Sequence, residues 1–204
     1  MVRDAVMDYT NAHGPLEVNA SKIACRLLLD RLSECPRAGI TDFGDEGRIV
    51  LTEEGLIKAS EWMNDESSQP LYFVSFIGFL REGDPNKVSS ERWKCDEQMC
   101  EELLTMSPTV YAYISVSVSK DPLVNPNGDW FNLVFFPDMG FLNEFNTSKS
   151  HGHAKEFLSP ASFTDVCVRS GSWVGGVREG KSVVHKSVLI TEGHTKRSCF
   201  MMEK

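Results

Sequence analysis

Hydrophobic and polar positions alternate along much of the chain after residue 70. Residues 109–119 point valine, alanine and isoleucine one way and tyrosine and serine the other way, because side chains of a strand repeat with period two. Residues 71–80, 130–136 and 165–170 also have the aromatic and β-branched character of strands. Stretches with helical spacing lie at 95–104 and 139–158. The order strand, helix, strand, occurring twice, predicts two β-α-β units.

This order predicts an α+β protein with a ferredoxin-like βαββαβ sheet and its helices on one face. We expect those helices to cover the valine and isoleucine face of residues 109–119. The tyrosine face, with Trp130 beside it, would then be a large exposed apolar patch that needs a cover. A second copy of the chain is one cover, and it predicts a homodimer that closes a dimeric α/β barrel. The alternative is that residues 1–70 and the C-terminal hairpin fold across this face and leave a monomer.

The first seventy residues have a mainly helical pattern. Ser21 is a candidate N-cap for a helix over residues 22–35, and Thr52 for a second helix that ends at Met63. A polar segment, 64–70, follows and ends in proline. The pattern predicts a helical N-terminal extension over residues 1–70 and an α/β-barrel domain over 71–204, which ends in a β-hairpin around residues 178–181.

Charge and composition narrow the class of partner. The 204 residues include 21 Lys and Arg against 29 Asp and Glu, a net charge of −8, which disfavours nucleic-acid binding. The longest apolar run, 71–80, is shorter than the roughly 20 residues of a membrane helix. Charged residues near Met1 disfavour a signal peptide, so a cytoplasmic protein without membrane contact is predicted. Six cysteines without a CxxC pair favour free thiols and no metal site.

One segment carries a family resemblance. Residues 129–173 contain a valine-rich strand, an aromatic residue, a histidine six positions later, a second helix and a final strand. This order resembles the second half of the stress-responsive dimeric α/β-barrel family, which includes polyketide cyclases. The aromatic residue falls on Phe145 and the histidine on His151, and the resemblance implies that His151 is a general base. The cyclases have a tyrosine where this chain has Phe145, and Lys149 replaces a proline common in the family.

Further site residues follow from the polar strand face. Tyr113 is the candidate for the phenol that Phe145 lacks, so the predicted catalytic residues are His151 and Tyr113. An imidazole has an ordinary pKa of about 6.5, which suits a base that works near neutral pH. Side chains of the polar face, expected to share one concave surface, are predicted to bind substrate, and Arg169 among them would stabilise an enolate. These substrate-binding residues are Tyr111, Ser115, Trp130, Asn132, Phe145 and Arg169.

Together these features predict a small enzyme of specialised metabolism that needs no cofactor. His151 would remove a proton next to a carbonyl group of a hydrophobic, oxygenated substrate, in a reaction of cyclase, lyase, isomerase, decarboxylase or oxygenase type. One alternative is a non-catalytic ligand-binding or stress-associated barrel protein. Another is a haem-dependent barrel enzyme with His151 or His153 as axial ligand.

Overall fold

A computed structural model describes ten segments of the chain, which hold eight strands and seven helices. The segments are residues 20–44, 47–63, 71–80, 85–106, 109–118, 129–158, 162–174, 176–179, 181–191 and 194–198. The predicted linker at 64–70 lies outside them. The strands are β1 (Gly39–Asp42), β2 (Gly47–Leu51), β3 (Leu71–Leu80), β4 (Ala112–Val118), β5 (Asp129–Phe136), β6 (Phe163–Val174), β7 (Lys181–Thr191) and β8 (His194–Ser198). The helices are α1 (residues 20–34), α2 (Glu53–Ile57), α3 (Ala59–Met63), α4 (Pro85–Thr105), α5 (Phe141–Asn146), α6 (Lys149–His153), which a π-helical turn (Ala154–Leu158) continues, and α7 (Gly176–Glu179).

The described strands form one antiparallel sheet in the order β1-β2-β4-β5-β3-β6-β7-β8. Strand β5 lies between β3 and β4, so β3 and β4 run parallel and α4 connects them. In the same way β3 lies between β5 and β6, which α5 and α6 connect. The chain is therefore an α+β protein, as predicted, with its helical connections where the sequence pattern predicted them.

Helix α4 is longer than expected. The predicted helix covered residues 95–104, whereas α4 begins ten residues earlier at Pro85, a residue whose fixed φ and missing N–H suit the first turn of a helix. It contacts β1, β2 and β4. None of the described helices combines the length and apolar character that crossing a membrane requires.

The face of the sheet that α4 covers is the tyrosine and serine face. Tyr113 and Val134 pack there against Met99, Cys100 and Leu103 of α4. The prediction that the valine and isoleucine face of β4 lies under these helices is therefore wrong. Alternation shows that the two faces differ, but it does not show which element covers each, and the polar face can be buried because α4 carries a hydrogen-bond partner for Tyr113.

The opposite, apolar face is covered by the chain itself. Leu27, Leu28 and Leu32 of α1 and Trp62 of α3 belong to one buried cluster with Ile114 and other apolar side chains of the central strands. Strand β2 also pairs with β4, so residues on both sides of the predicted boundary at 70 share one sheet and one core. The exposed face that motivated the homodimer is absent from the described part of the chain, because α4 covers the tyrosine and serine face. The intramolecular alternative is not what the described residues show either, since α1 and α3 cover the apolar face instead.

Two details of the N-terminal helices differ from the prediction. Ser21 is not the cap of α1, because Ala20 is already helical. Thr52 does cap a helix: its side chain accepts a hydrogen bond from Gly55 N at 3.0 Å and donates to Val110 O at 2.6 Å. The single predicted helix over 53–63 is broken at Lys58 into α2 and α3, which turns Trp62 back so that its indole N–H reaches Gly55 O at 2.9 Å.

Replacing Gly55 with alanine tests this close approach of α2 to the sheet. An alanine Cβ would lie 2.1 Å from the carbonyl oxygen of Tyr111. Glycine to alanine in a helix ordinarily stabilises by up to about 1 kcal/mol, but the clash should reverse the sign and cost about 2 kcal/mol, measured by urea denaturation. Gly152→Ala is the matched control, since its Cβ meets no atom within 4 Å and should not destabilise. A Gly55→Ala protein as stable as the Gly152→Ala protein would contradict the packing described.

Candidate functional site

His151 lies in α6 with its ring stacked on Phe145 of α5. The ring centroids are 4.4 Å apart with 28° between the planes. Two further rings, Phe141 and Phe136, continue the row at centroid distances of 5.3 Å and 4.9 Å. The structure therefore brings together the aromatic residue and the histidine that the sequence pattern paired.

The start of α6 is fixed by two side chains. The hydroxyl oxygen of Ser148 accepts a hydrogen bond from His151 N at 3.3 Å, which makes Ser148 the N-cap. Glu102 of α4 accepts hydrogen bonds from the backbone N–H groups of Lys149 and Ser150, both at 3.1 Å, and from the Ser150 hydroxyl. A proline at position 149 would have no N–H to donate, so Lys149 gives α6 an anchor that the family pattern would lack.

The surroundings of His151 favour its neutral form. Burial lowers the pKa of His151, the positive charge of Lys155 lowers it further, and Glu102 partly opposes both. The Nδ1 atom is buried and has no hydrogen-bond partner. Because Nδ1 faces no acceptor that would hold a proton there, we infer that the proton of the neutral ring is on Nε2 and the lone pair is on Nδ1. A neutral imidazole with a free lone pair is the form that a general base requires.

The hydroxyl group of Tyr113 is hydrogen-bonded to a buried carboxylate. Its hydroxyl donates to Asp96 Oδ1 of α4 at 2.6 Å, and each of the two residues is 1 % exposed. Arg48 Nη1 lies 3.8 Å from Asp96 Oδ2. Burial raises the pKa of Asp96 to about 6, against the opposing effects of Tyr113, Ser115 and Arg48. Burial and the neighbouring Asp96 raise the pKa of Tyr113 well above its ordinary value, so this phenol keeps its proton.

Sequence analysis missed Asp96 and Arg48. The available signal was the position of Asp96 on α4, where it shares the buried side of the helix with Met99, Cys100 and Leu103. A carboxylate among buried apolar positions of a helix requires a partner inside the protein. The tyrosine on the facing strand is that partner.

Four of the predicted site residues share the face beneath α4. Ser115 lies directly opposite Asn132, and Ser117 opposite Trp130, in the pairing of β4 with β5. Tyr113 and Ser115 are two positions apart on β4 and so point to the same side. Tyr113, Ser115, Trp130 and Asn132 therefore lie on one surface, which α4 covers rather than a second protomer.

Two predicted residues lie on the opposite side of the sheet. Tyr111 precedes β4 and stacks on Trp62, at 6.2 Å between ring centroids, because the chain bends at Tyr111 before the strand begins. Arg169 lies opposite Ser75 of β3, and Ser75 in turn lies opposite Leu133, which belongs to the apolar cluster under α1. The expectation that both share a surface with Tyr113 is wrong, since the phase of a strand depends on its register with its neighbour.

Other candidate sites among the described residues would be metal clusters, cysteine pairs and surface depressions. No group of three or more His, Cys, Asp or Glu side chains there is arranged to hold a metal ion, and Cys25, Cys35, Cys95, Cys100 and Cys167 are free thiols. A surface depression of about 320 Å³ is lined by residues none of which was predicted to act in a site. Its lining residues are Ala38, Gly39, Thr52, Glu53 and Leu104.

Comparison of the chain with family models, with curated proteins and with solved structures finds no match. The functional argument therefore depends on the residues and their geometry alone.

Proposed function

We propose that this chain is a small enzyme that removes a proton next to a carbonyl group, with neutral His151 as the base. The single observation that carries the proposal is the buried, unpaired Nδ1 of a half-buried imidazole that lies against Phe145. A flat substrate would extend the aromatic row that ends at His151, which is a suitable wall for a hydrophobic, oxygenated molecule.

The fold supports a ferredoxin-like unit as the scaffold of this site. The strands of residues 71–174 have the order β4-β5-β3-β6 in the sheet. Helix α4 connects β3 to its parallel partner β4, and helices α5 and α6 connect β5 to its parallel partner β6. That arrangement is the split β-α-β pattern repeated once. In this unit the Tyr113 hydroxyl is hydrogen-bonded to Asp96, so we do not assign it to the enolate. His151 remains the catalytic residue of the proposal, and Tyr113 has a positioning role.

Proton exchange at a ketone tests the proposal without knowledge of the natural substrate. In D2O, the wild-type protein should accelerate loss of the α-proton signals of flat ketones, beginning with 2-tetralone, followed by proton NMR. General-base catalysis contributes about 10²-fold or more, so His151→Gln should lose about that factor. His153→Gln is the matched control, because His153 is exposed and lies two residues along the same helix, and its rate should stay within about twofold of wild type. Equal rates for wild type and His151→Gln would contradict the proposal.

A second candidate function is ligand binding without catalysis. It is favoured by one specific observation: Phe145 has no hydroxyl, and the only phenol placed beneath α4 by the pairing of β4 and β5, Tyr113, is bound to Asp96. Native mass spectrometry of protein purified from its source should then show a bound molecule that leaves the protein chemically unchanged. Conversion of that molecule by the protein would reject this candidate.

The haem alternative and the homodimer have simple tests. An absorption spectrum of the purified protein with added haemin decides whether His151 or His153 is an axial ligand, since a bound haem gives a strong visible band. For the assembly, we propose a site within a single chain, because α4 covers the tyrosine and serine face that a second copy was expected to cover. Light scattering should give the mass of one chain, and twice that mass would restore the dimer.

A further inference from the structure

Arg92 of α4 is a buried cation whose hydrogen bonds are incomplete. The residue is 4 % exposed, and neither its Nε nor its Nη1 has a hydrogen-bond partner. Burying a guanidinium group without a hydrogen-bonded anion is costly. An anion that accepted from these two nitrogen atoms would remove that cost.

The groups around Arg92 offset its charge only in part. Its guanidinium carbon lies 5.4 Å from the ring centroid of Trp130, whose ring meets that of Trp93 edge-on at 4.8 Å. The attraction of a cation to an indole ring is weaker than that to a hydrogen-bonded anion. Asp129 attracts Arg92, but burial has the larger effect and lowers the pKa of Arg92. Asp96, one helical turn away, is engaged by Tyr113 and Arg48.

A further buried atom without a partner lies on the facing strands. It is Asn132 Oδ1, on β5 directly opposite Ser115 of β4. Asn132 is two positions from Trp130 and so lies on the same face, and Arg92 contacts Trp130. The hydroxyl of Ser115 is engaged with Asp96 and Tyr113. Asn132 Oδ1 therefore lies on the face that Arg92 covers, and a buried acceptor without a hydrogen bond is unfavourable.

We propose that Arg92 and Asn132 form a binding site for a small hydroxy acid between α4 and the sheet. Arg92 donates to the carboxylate of the ligand, and Asn132 Oδ1 accepts from its hydroxyl group. Trp93 and Trp130 border the apolar part of the molecule. The site goes beyond the proposed proton transfer and does not require His151.

The unpaired atoms favour this class over a phosphate. Asn132 Oδ1 is an acceptor, and it stays unpaired unless the ligand brings a donor. A phosphate dianion carries two negative charges, and the nearby carboxylates of Asp96 and Asp129 would repel it more strongly than a monoanion, an effect that burial strengthens. A monoanionic carboxylate with one hydroxyl group matches both the donors and the acceptor.

Tryptophan fluorescence provides a direct binding measurement with mandelate as the probe. Of the four tryptophans, Trp93 and Trp130 adjoin Arg92, whereas Trp62 and Trp173 contact the cluster on the opposite face. Mandelate should give a saturable change in emission. Its neutral amide should bind at least about tenfold more weakly, and phenylacetate, which lacks the hydroxyl group, about threefold more weakly. Inorganic phosphate should not compete.

Two arginine variants control for folding. Arg92→Met should weaken mandelate binding by about tenfold or more. Arg31→Met is the matched control, because Arg31 is likewise buried, at 3 % exposed, but lies on α1 and hydrogen-bonds Thr41 and Arg37 O, so the affinity of this variant should be unchanged. If Arg92→Met does not fold, Arg92→Lys keeps the charge but loses the planar donors and should bind about threefold or more weakly. Absence of saturation by wild type at about 10 mM, equal affinity for the amide, or full affinity in the folded Arg92 variant would overturn the proposal.

Discussion

Replacing Leu28 with alanine is expected to lower the free energy of unfolding by about 4 kcal/mol. Leu28 is 0 % exposed and lies in the middle of α1, in the same buried cluster as the apolar side chains of β4 and β5. The substitution removes three buried carbon atoms and leaves a cavity between helix and sheet that rigid strands cannot close. Urea denaturation followed by circular dichroism measures the change.

The neighbouring leucine provides the control for this substitution. Leu29 is only half-buried, so Leu29→Ala makes the same chemical change with much less buried surface and should cost about 1 kcal/mol. The contrast tests whether α1 covers the apolar face of the sheet in a single chain. Equal losses for the two variants would mean that another element, such as a second copy of the chain, covers this face.

Asp96 should make the folded protein less stable as pH rises, whereas a carboxylate with a lowered pKa makes it more stable. Its pKa in the folded protein is about 6, against an ordinary value of 3.8, so the folded state holds the proton more tightly than the unfolded state. The resulting stabilisation is complete below about pH 4 and is lost as pH rises through 6. Relative to Asp96→Asn, whose amide does not titrate, the wild type should lose about 3 kcal/mol between pH 4 and pH 7.5.

The measurement is the difference in unfolding free energy between wild type and Asp96→Asn at a series of pH values. Taking the difference cancels the contribution of the other carboxylates to the pH dependence. One of them is Glu102, whose pKa is lowered because the hydrogen bonds from Ser150 and Lys149 together outweigh the effect of burial. Tyr113→Phe removes a donor that stabilises the charged form of Asp96, so its transition should move to higher pH. A difference that does not vary with pH would show that Asp96 titrates like an exposed carboxylate.

The sequence was sufficient for those parts of the fold that depend on local pattern. The two β-α-β connections and the cap at Thr52 follow from periodicity and from the chemistry of a single side chain. The contact of Phe145 with His151 follows from spacing, since α5 and α6 are both short and place residues six apart on adjacent turns. Each of these features lies within one segment of the chain.

Features that depend on contacts between distant segments could not be predicted. Alternation in β4 separates Tyr113 from Ile114, but only the partners α1 and α4 determine which of them meets which helix. Arg169 was assigned to the wrong face because its side depends on its register with Ser75. The hydrogen-bond partner of Asp96 is Tyr113, seventeen residues away along the chain, and no sequence motif connects the two residues.

The central claim is that His151 is a neutral base with a free lone pair on Nδ1, and a nitrogen-detected NMR titration of its imidazole tests this most directly. Resonances are assigned by comparison with His151→Gln. The account predicts a titration midpoint below 6.5, because burial and Lys155 lower the pKa of His151, and an unprotonated Nδ1 at neutral pH. A midpoint above 6.5, or a proton on Nδ1 at neutral pH, would contradict it.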